Sequence, residues 1–357
     1  MDGSNFAGGG QTLRDRRHRV IAWWLFALCA MVFVMVVLGG ITRLTESGLS
    51  MVDWHPVTRW LPPFSQTDWQ AAFDHYREFP EYQKKNIGMT LAEFKTIFWF
   101  EFAHRLWGRL IGIVFAIPFV VFLAKRWIDR ALAPKLLIVF LLGGLQGGLG
   151  WYMVQSGLVD RPDVSQYRLT AHLAAAVAIY GYMLWLGLSL IGRGDPGTGH
   201  EMGRETAGLR RYVAVVAGWV FLTMMSGGFV AGLDAGLIYN TFPLMDGKVI
   251  PDGIGTMTPW YINLFENVTT VQFDHRVLAM SLVAAVIVLW LRSMRVELAR
   301  TQRLAFNALG TMALVQLCLG IATLLTAVPV PLGALHQTGA LVLFSLALWA
   351  YREIKPI

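Results

Sequence analysis

The chain has 357 residues, of which 55% are hydrophobic and only 15% charged, and its mean hydropathy is +0.50. Soluble domains carry about 25% charged residues, so this composition excludes a water-soluble enzyme with a polar shell. The formal net charge of +7 would favour nucleic acid in a soluble protein, but here the basic residues flank apolar segments, and we expect no nucleic-acid partner.

Eight apolar segments approach the ~20 residues with which a helix crosses a bilayer. We therefore predict an all-α polytopic membrane protein, in contact with lipid, whose spans lie at 20–42, 95–124, 134–154, 168–191, 210–231, 264–291, 303–326 and 332–351.

The positions of the basic residues predict how these spans are oriented. Arginines and lysines precede the first span and follow the second, fourth, sixth and eighth, whereas the loop after the fifth has only Lys248 and the loop after the seventh has none. Arg161 and Arg168, after the third span, are a mild exception. Basic loops stay on the cytoplasmic side, so both termini are expected in the cytoplasm. The first span lacks a cleavage site after it, and the segment before it is short for an organellar presequence, which favours a bacterial cytoplasmic (inner) membrane.

An internal repeat divides the chain into two similar halves. Gly39-Gly40 and Gly227-Gly228 lie 188 positions apart, and the pairs that follow keep their order: Glu101–Arg105 with Gln272–Arg276, Gln146 with Gln316, and His172 with His336. Each half has an even number of spans, so we predict two parallel four-helix bundles related by an axis along the membrane normal.

The repeat also predicts domain boundaries. Residues 1–19 would be a cytoplasmic N-terminal segment, 20–191 the first bundle with a long outer loop at 43–94, 192–209 a Gly-rich cytoplasmic linker, and 210–357 the second bundle.

Four of the eight histidines lie near the N-terminal ends of the even-numbered spans: His104, His172, His275 and His336. A single histidine in a membrane helix is often a hydrogen-bonding residue between helices. Four at matched depth, duplicated with the repeat, favour ligation of iron. Because their neighbours are mostly apolar, each pair suits a flat haem better than a bare metal ion, with one haem in each half.

The residues beside these histidines leave several alternatives open. Arg105 and Arg276 would bind haem propionates, or instead pair with Glu101 or Asp274, or reach the lipid headgroups. Glu101 lies three residues before His104 on the same helix face, and its counterpart Gln272 exchanges no proton. This difference favours the first half as the reacting site and Glu101 as its acid–base group, although a purely structural Glu101–Arg105 pair is the alternative.

At these motifs the chain resembles the haem A synthase family of proteobacteria and mitochondria. The matching stretches lie at 39–63, 101–109, 147–173, 238–247, 272–276 and 334–340.

The resemblance implies oxidation of the C8 methyl group of haem O to a formyl group, giving haem A for cytochrome c oxidase. It implies that His104 and His172, with Arg105, bind the substrate haem O, that His275 and His336, with Arg276, hold a resident haem b, and that Glu101 is catalytic. The implied partners are haem O synthase in a handover, the cytochrome c oxidase assembly route and an unidentified electron partner, and the Trp- and Phe-rich outer faces leave room for a homo-oligomer.

Two other classes of protein would explain part of the pattern. A dihaem b electron-transfer protein accounts for the four histidines, but it leaves the difference between Glu101 and Gln272 without a purpose. A transporter with parallel repeats predicts interrupted spans in matching places, and among the prolines only Pro118 lies inside a span.

Overall fold

The computed structural model describes residues 5–53, 60–157, 164–191 and 204–354. Within these ranges the regular elements are helices, with no β-strand, which confirms the all-α class. The helices are α1 Asn5–Leu44, α2 Gln66–Arg77, α3 Pro80–Lys84, α4 Leu91–Ala124, α5 Ala133–Gly157, α6 Gln166–Ile191, α7 Arg204–Gly232, α8 Asn263–Glu266, α9 Val268–Ser293, α10 Arg300–Leu325 and α11 Val330–Glu353.

Eight of these helices (α1, α4, α5, α6, α7, α9, α10 and α11) are long and apolar enough to cross a membrane. The prediction of eight spans is thereby confirmed, and the chain is a multi-pass membrane protein. Each of these helices is continuous in its described part, and α4 runs through Pro118 without a break. The interrupted spans that a transporter would need are therefore not found among the described helices.

The first helix begins earlier than its apolar segment. α1 starts at Asn5, inside the segment 1–19 that was expected to precede the bundle. Arginine and glutamine have good helix propensity, so the helix continues past the apolar block.

The long outer loop at 43–94 contains helices that hydropathy did not indicate. Capping boxes begin α2 and α4, with Ser65 bonded to Asp68 and Thr90 bonded to Glu93. Such reciprocal bonds satisfy backbone N–H groups that a helix end leaves unpaired. The loop helices pack on the N-terminal end of α4 through an aromatic cluster of Trp69, Phe73, Tyr76, Phe94, Phe98 and Phe102.

In each half the four spans form a ring in which every span packs on two others. In the first half α1 packs on α4 and α6, and α5 on α4 and α6; in the second half α7 packs on α9 and α11, and α10 on α9 and α11. α1, α6, α7 and α11 also make the contacts between the halves. The two-fold relation of two parallel bundles stays a prediction, as do the domain boundaries, and residues 192–203 of the predicted linker lie outside the described residues.

Hydrogen bonds between the halves fix their central helices. Arg43 on α1 forms an ion pair with Asp234 at 2.8 Å and donates to the carbonyl oxygen of Ala231 at 2.7 Å. Two turns earlier on α1, the side chain of Gln337 on α11 donates to the carbonyl oxygen of Val36 at 2.8 Å. These bonds hold α1 beside both α7 and α11.

Candidate functional site

The structure brings the imidazole rings of His275 on α9 and His336 on α11 close together. Their ring centres are 6.5 Å apart and the ring planes are nearly perpendicular, at 88°. Two imidazoles on opposite sides of one metal ion, with bonds of about 2 Å, would have ring centres roughly 6 Å apart. The separation therefore fits a single ion held between the two rings.

Neighbouring polar side chains orient both rings. Ser226 on α7 donates its hydroxyl proton to the carbonyl oxygen of Thr223 at 2.8 Å, and its Oγ lies 2.8 Å from His275 Nδ1. With that proton directed at Thr223, His275 Nδ1 acts as the donor to Ser226, and this tautomer keeps the Nε2 lone pair free for a metal. The Gln316 amide lies 3.2 Å from His336 Nδ1 and donates to the His336 carbonyl oxygen at 2.8 Å.

The first half repeats part of this arrangement. His104 on α4 and His172 on α6 lie within electrostatic range of each other. Gln146, at the position matching Gln316, donates to the His172 carbonyl oxygen at 2.9 Å. The Nδ1 atom of His172 is buried and has no hydrogen-bond partner among the described residues, although buried polar atoms are nearly always paired. This atom is available to a ligand.

Every one of the four imidazoles lies against a glycine of a neighbouring span. A Cβ atom added to that glycine would lie at or inside the normal contact distance from the ring. The distances are 3.4 Å for Gly39 and His104, 3.1 Å for Gly150 and His172, 3.2 Å for Gly227 and His275, and 2.9 Å for Gly320 and His336. These contacts were not predicted from the sequence. The available signal was the recurrence of Gly150 as Gly320 at the same offset as Gln146 and Gln316.

Glu101 is buried, with 3% of its surface exposed, and the groups bonded to its carboxylate are all hydrogen-bond donors. Its Oε2 atom accepts from the Ser50 hydroxyl at 2.7 Å and from the Met51 backbone N–H at 2.7 Å, and its Oε1 atom is paired with Arg105. Arg105 also donates to the carbonyl oxygens of Met51 at 2.7 Å and Asp53 at 2.9 Å. The pair on one helix face, one of the alternatives from the sequence, therefore forms and holds the start of the outer loop.

The second half forms the same clamp without a carboxylate. Arg276 donates to the carbonyl oxygens of Tyr239 at 2.6 Å and Thr241 at 2.8 Å, and Gln272 donates to Tyr239 at 3.1 Å. The Arg276 Nε and Gln272 Oε1 atoms are buried and have no partner. Thus the difference between Glu101 and Gln272 makes the clamp an ion pair in the first half, whereas in the second half the charged guanidinium of Arg276 bonds to carbonyl oxygens.

A second buried carboxyl group lies in the outer loop and was not anticipated. Glu81 is 3% exposed and accepts from the Tyr76 hydroxyl at 2.9 Å, which in turn accepts from the Asn86 amide at 2.7 Å. Burial raises the pKa of Glu81 to about 8, and the charge of Glu101 acts in the same direction. Glu81 therefore stays protonated at neutral pH.

Two other contacts involve residues of the first loop. The guanidinium of Arg109 lies 5.2 Å from the ring centre of Trp60, and Asp53 lies 3.8 Å from His75. His55 and Arg59 lie outside the described residues.

The donor set suits haem better than a bare ion. Among the described residues, no group of three or more His, Cys, Asp or Glu side chains is placed to hold a metal. Two imidazoles complete the coordination of an iron whose other four ligands come from a porphyrin, and this needs no third protein ligand. The residues of the second half therefore fit a haem, and the first half carries the matching histidines.

Comparison with known proteins identifies the family of this chain. The family model described as COX15-CtaA, cytochrome oxidase assembly protein, matches residues 22–348. The chain is 54% identical to the "Heme A synthase" of Nitrosospira multiformis, over 95% of this chain and 94% of that protein. It is 48% identical to the "Heme A synthase COX15" of Bos taurus, over 95% of this chain and 83% of that protein. This chain therefore belongs to the COX15-CtaA family of cytochrome oxidase assembly proteins.

Proposed function

We propose that this protein is a haem A synthase, which oxidises the C8 methyl group of haem O to a formyl group and so makes haem A for cytochrome c oxidase. Family membership over nearly the whole chain carries the proposal, and the histidine pair with ring centres 6.5 Å apart supports it.

The two halves would take different haems. In this proposal His104 and His172, with Arg105, bind the substrate haem O, and His275 and His336, with Arg276, hold the cofactor haem b. The unpartnered Nδ1 atom of His172 supports a ligand in the first half. Haem b would supply electron transfer when bound.

The chemistry proceeds by two successive oxidations of the methyl carbon. Each oxidation adds the oxygen of one water molecule to the carbon and releases two electrons and two protons, and the resulting gem-diol loses water to give the aldehyde. The electrons leave to a partner still unidentified, and the protons need an acceptor close to the porphyrin edge. Glu101, the exchangeable group nearest His104 along α4, is the residue proposed to handle them. Its bonds to Ser50 and Met51 would hold the carboxyl group in place.

Substitution of Glu101 separates proton handling from loop anchoring. Glu101→Gln keeps the size of the side chain but cannot exchange a proton, so we expect haem to stay bound while haem A is no longer formed. Ser50→Ala removes one bond to the same carboxylate and keeps the exchanging group, so it should retain haem A formation. Pigments extracted from the purified proteins would measure both.

Each outcome of this experiment has a consequence. Undiminished haem A in Glu101→Gln, or an equal loss in both variants, would contradict the role of Glu101. Wild-type extracts that contain haem b alone, with no haem O, hydroxylated intermediate or haem A, would contradict the enzyme and leave a dihaem electron-transfer protein.

The proposal includes a location and partners. The basic cytoplasmic loops support a bacterial inner membrane with both termini in the cytoplasm, and the histidines would then lie in its outer half. Haem O synthase would hand over the substrate, the product would enter cytochrome c oxidase assembly, and self-association through the apolar faces is part of the proposal.

A further inference from the structure

A basic cleft of about 350 Å³ lies between the start of α1 and the loop that joins α4 to α5. The side chains with fixed charge that line it are Arg14, Arg17, Arg126 and Asp129. The cleft is far from the histidines, because Arg17 precedes Gly39, which contacts His104, by about 33 Å of helix at 1.5 Å per residue. It is therefore separate from the candidate haem sites.

The carboxylate of Asp129 is bonded within the protein itself. Its Oδ2 atom forms an ion pair with Arg14 at 2.9 Å and lies 3.8 Å from Nε2 of the buried His18. Its Oδ1 atom accepts from the backbone N–H groups of Ala131 at 3.1 Å and Leu132 at 2.9 Å. These contacts tie α1 to the loop and compensate the carboxylate, so the cleft keeps an excess of positive charge.

That excess comes from Arg17 and Arg126. Both are exposed, and neither side chain forms a hydrogen bond or ion pair with another described residue. Arg126 also ends α4 in the left-handed backbone region, with φ at 53°, while Trp127 N–H donates to the Phe122 carbonyl oxygen at 2.9 Å. Glycine is the usual residue at this position of a helix end, because a side chain there is strained. An arginine at this position, without a partner in the protein, points to a ligand from outside it.

The second half does not repeat this cleft. By the offsets of the repeat, 188 for the first spans and 171 for the second spans, Arg17 corresponds to Glu205 and Arg126 to Glu297.

Arginines at the same end of the second half are bonded within the protein. Arg303 donates to the carbonyl oxygens of Ser293 at 2.7 Å and Val296 at 2.8 Å, and the guanidinium of Arg210 lies 4.4 Å from the ring centre of Tyr351. The general preference for basic residues at cytoplasmic helix ends therefore does not account for the two unpartnered arginines of the cleft.

The cleft lies at the depth of the lipid headgroups. The candidate span of α4 ends at Ala124, two residues before Arg126, and the lining residue Trp127 is of a type enriched at membrane interfaces. One turn into the apolar part of each helix lie Val20 on α1 and Leu123 on α4, which are 41% and 42% exposed. A molecule with a charged group in the cleft can therefore lay an apolar chain against the adjoining helices.

We propose that this cleft binds the phosphate group of an anionic phospholipid, with Arg17 and Arg126 as its ligands. The planar guanidinium group matches a phosphate with two parallel hydrogen bonds, and basic pockets between membrane spans are suited to anionic headgroups. A phospholipid fits better than a free phosphate ion because the cleft adjoins exposed apolar surface. The inference goes beyond the haem chemistry and does not depend on it.

The test compares two double variants that remove the same charge. Arg17→Gln/Arg126→Gln removes both proposed ligands, and because both side chains are exposed and unpaired the variant should fold. Arg16→Gln/Arg19→Gln, at exposed positions of α1 that do not line the cleft, is the matched control.

The measurement is the midpoint of thermal unfolding of the full chain in a neutral detergent, as phosphatidylglycerol is added. A ligand that binds only the folded protein raises this midpoint in proportion to its affinity and concentration. We expect wild type and the control to respond at the same lipid concentration, and the cleft variant to need at least ten-fold more. Phosphatidylcholine, which has no net charge, and inorganic phosphate should not produce this rise.

Several results would overturn the proposal. Equal weakening in both double variants would mean that surface charge attracts the lipid without a specific site. An equal rise with phosphatidylcholine would remove the role of the net charge, and an equal rise with inorganic phosphate would leave an anion site that does not select a lipid. A wild type whose unfolding midpoint does not respond to phosphatidylglycerol would also overturn it.

Discussion

Gly320→Ala should displace the imidazole ring of His336. The added Cβ atom would lie 2.9 Å from His336 Cε1 and 3.5 Å from Nδ1, whereas carbon atoms pack best at about 3.5–4.0 Å. The ring must therefore retreat by roughly 0.5–1 Å. The backbone cannot easily give way, because α10 packs along α11 and Gln316 holds the His336 carbonyl oxygen at 2.8 Å.

A shift of that size is large for a metal ligand. Metal–ligand distances in a working site lie within about 0.2 Å of their normal values, and the two imidazoles are already 6.5 Å apart. We therefore expect Gly320→Ala to lose most of the haem b of the second half, or to retain it with one imidazole detached. Haem content per chain and the absorption spectrum of the purified protein would show either result.

The three other glycines provide a graded control. Gly39→Ala places the new atom 3.4 Å from His104, an ordinary contact, while Gly227 and Gly150 are intermediate at 3.2 and 3.1 Å. We expect Gly39→Ala to be tolerated. Full haem b with an unchanged spectrum in Gly320→Ala, or greater damage from Gly39→Ala, would refute the steric reasoning.

Two further predictions concern stability. The pKa of Glu81 is raised from 4.5 to about 8, so the folded loop binds more protons than the unfolded chain and its stability falls as pH rises from about 4.5 to 8. Glu81→Gln should remove this fall, which proteolysis of α2 and α3 at pH 6 and pH 9 would measure. Identical pH profiles in the wild type and the variant would contradict the assignment. Arg43→Ala removes both the hydrogen bond to the Ala231 carbonyl oxygen and the ion pair between the halves, at a cost of about 1–3 kcal/mol. Asp234→Ala removes only the half-exposed ion pair, worth about 1 kcal/mol or less. Thermal unfolding should show the larger loss of stability for Arg43→Ala, and a greater loss from Asp234→Ala would be inconsistent with the Arg43–Ala231 bond.

Hydropathy and the repeat determined the spans and the pairing of the histidines. A backbone in lipid must satisfy its own hydrogen bonds, so each apolar block of sufficient length becomes a helix whatever its neighbours are. Duplication of His104 and His172 as His275 and His336 then indicated that they act in pairs. Both inferences use information that lies within one helix or one repeat.

The tertiary structure decided everything that depends on how the helices pack. Ser50 and Met51 meet Glu101 across about fifty residues of sequence, and Glu81 becomes a protonated group only because the loop helices bury it. Local hydropathy carries no information on such contacts, because side-chain burial and hydrogen bonding are set by residues distant in sequence. For the same reason the glycines were only repeat markers in the sequence, and their contacts with the four imidazoles became visible once the helices were placed beside their neighbours.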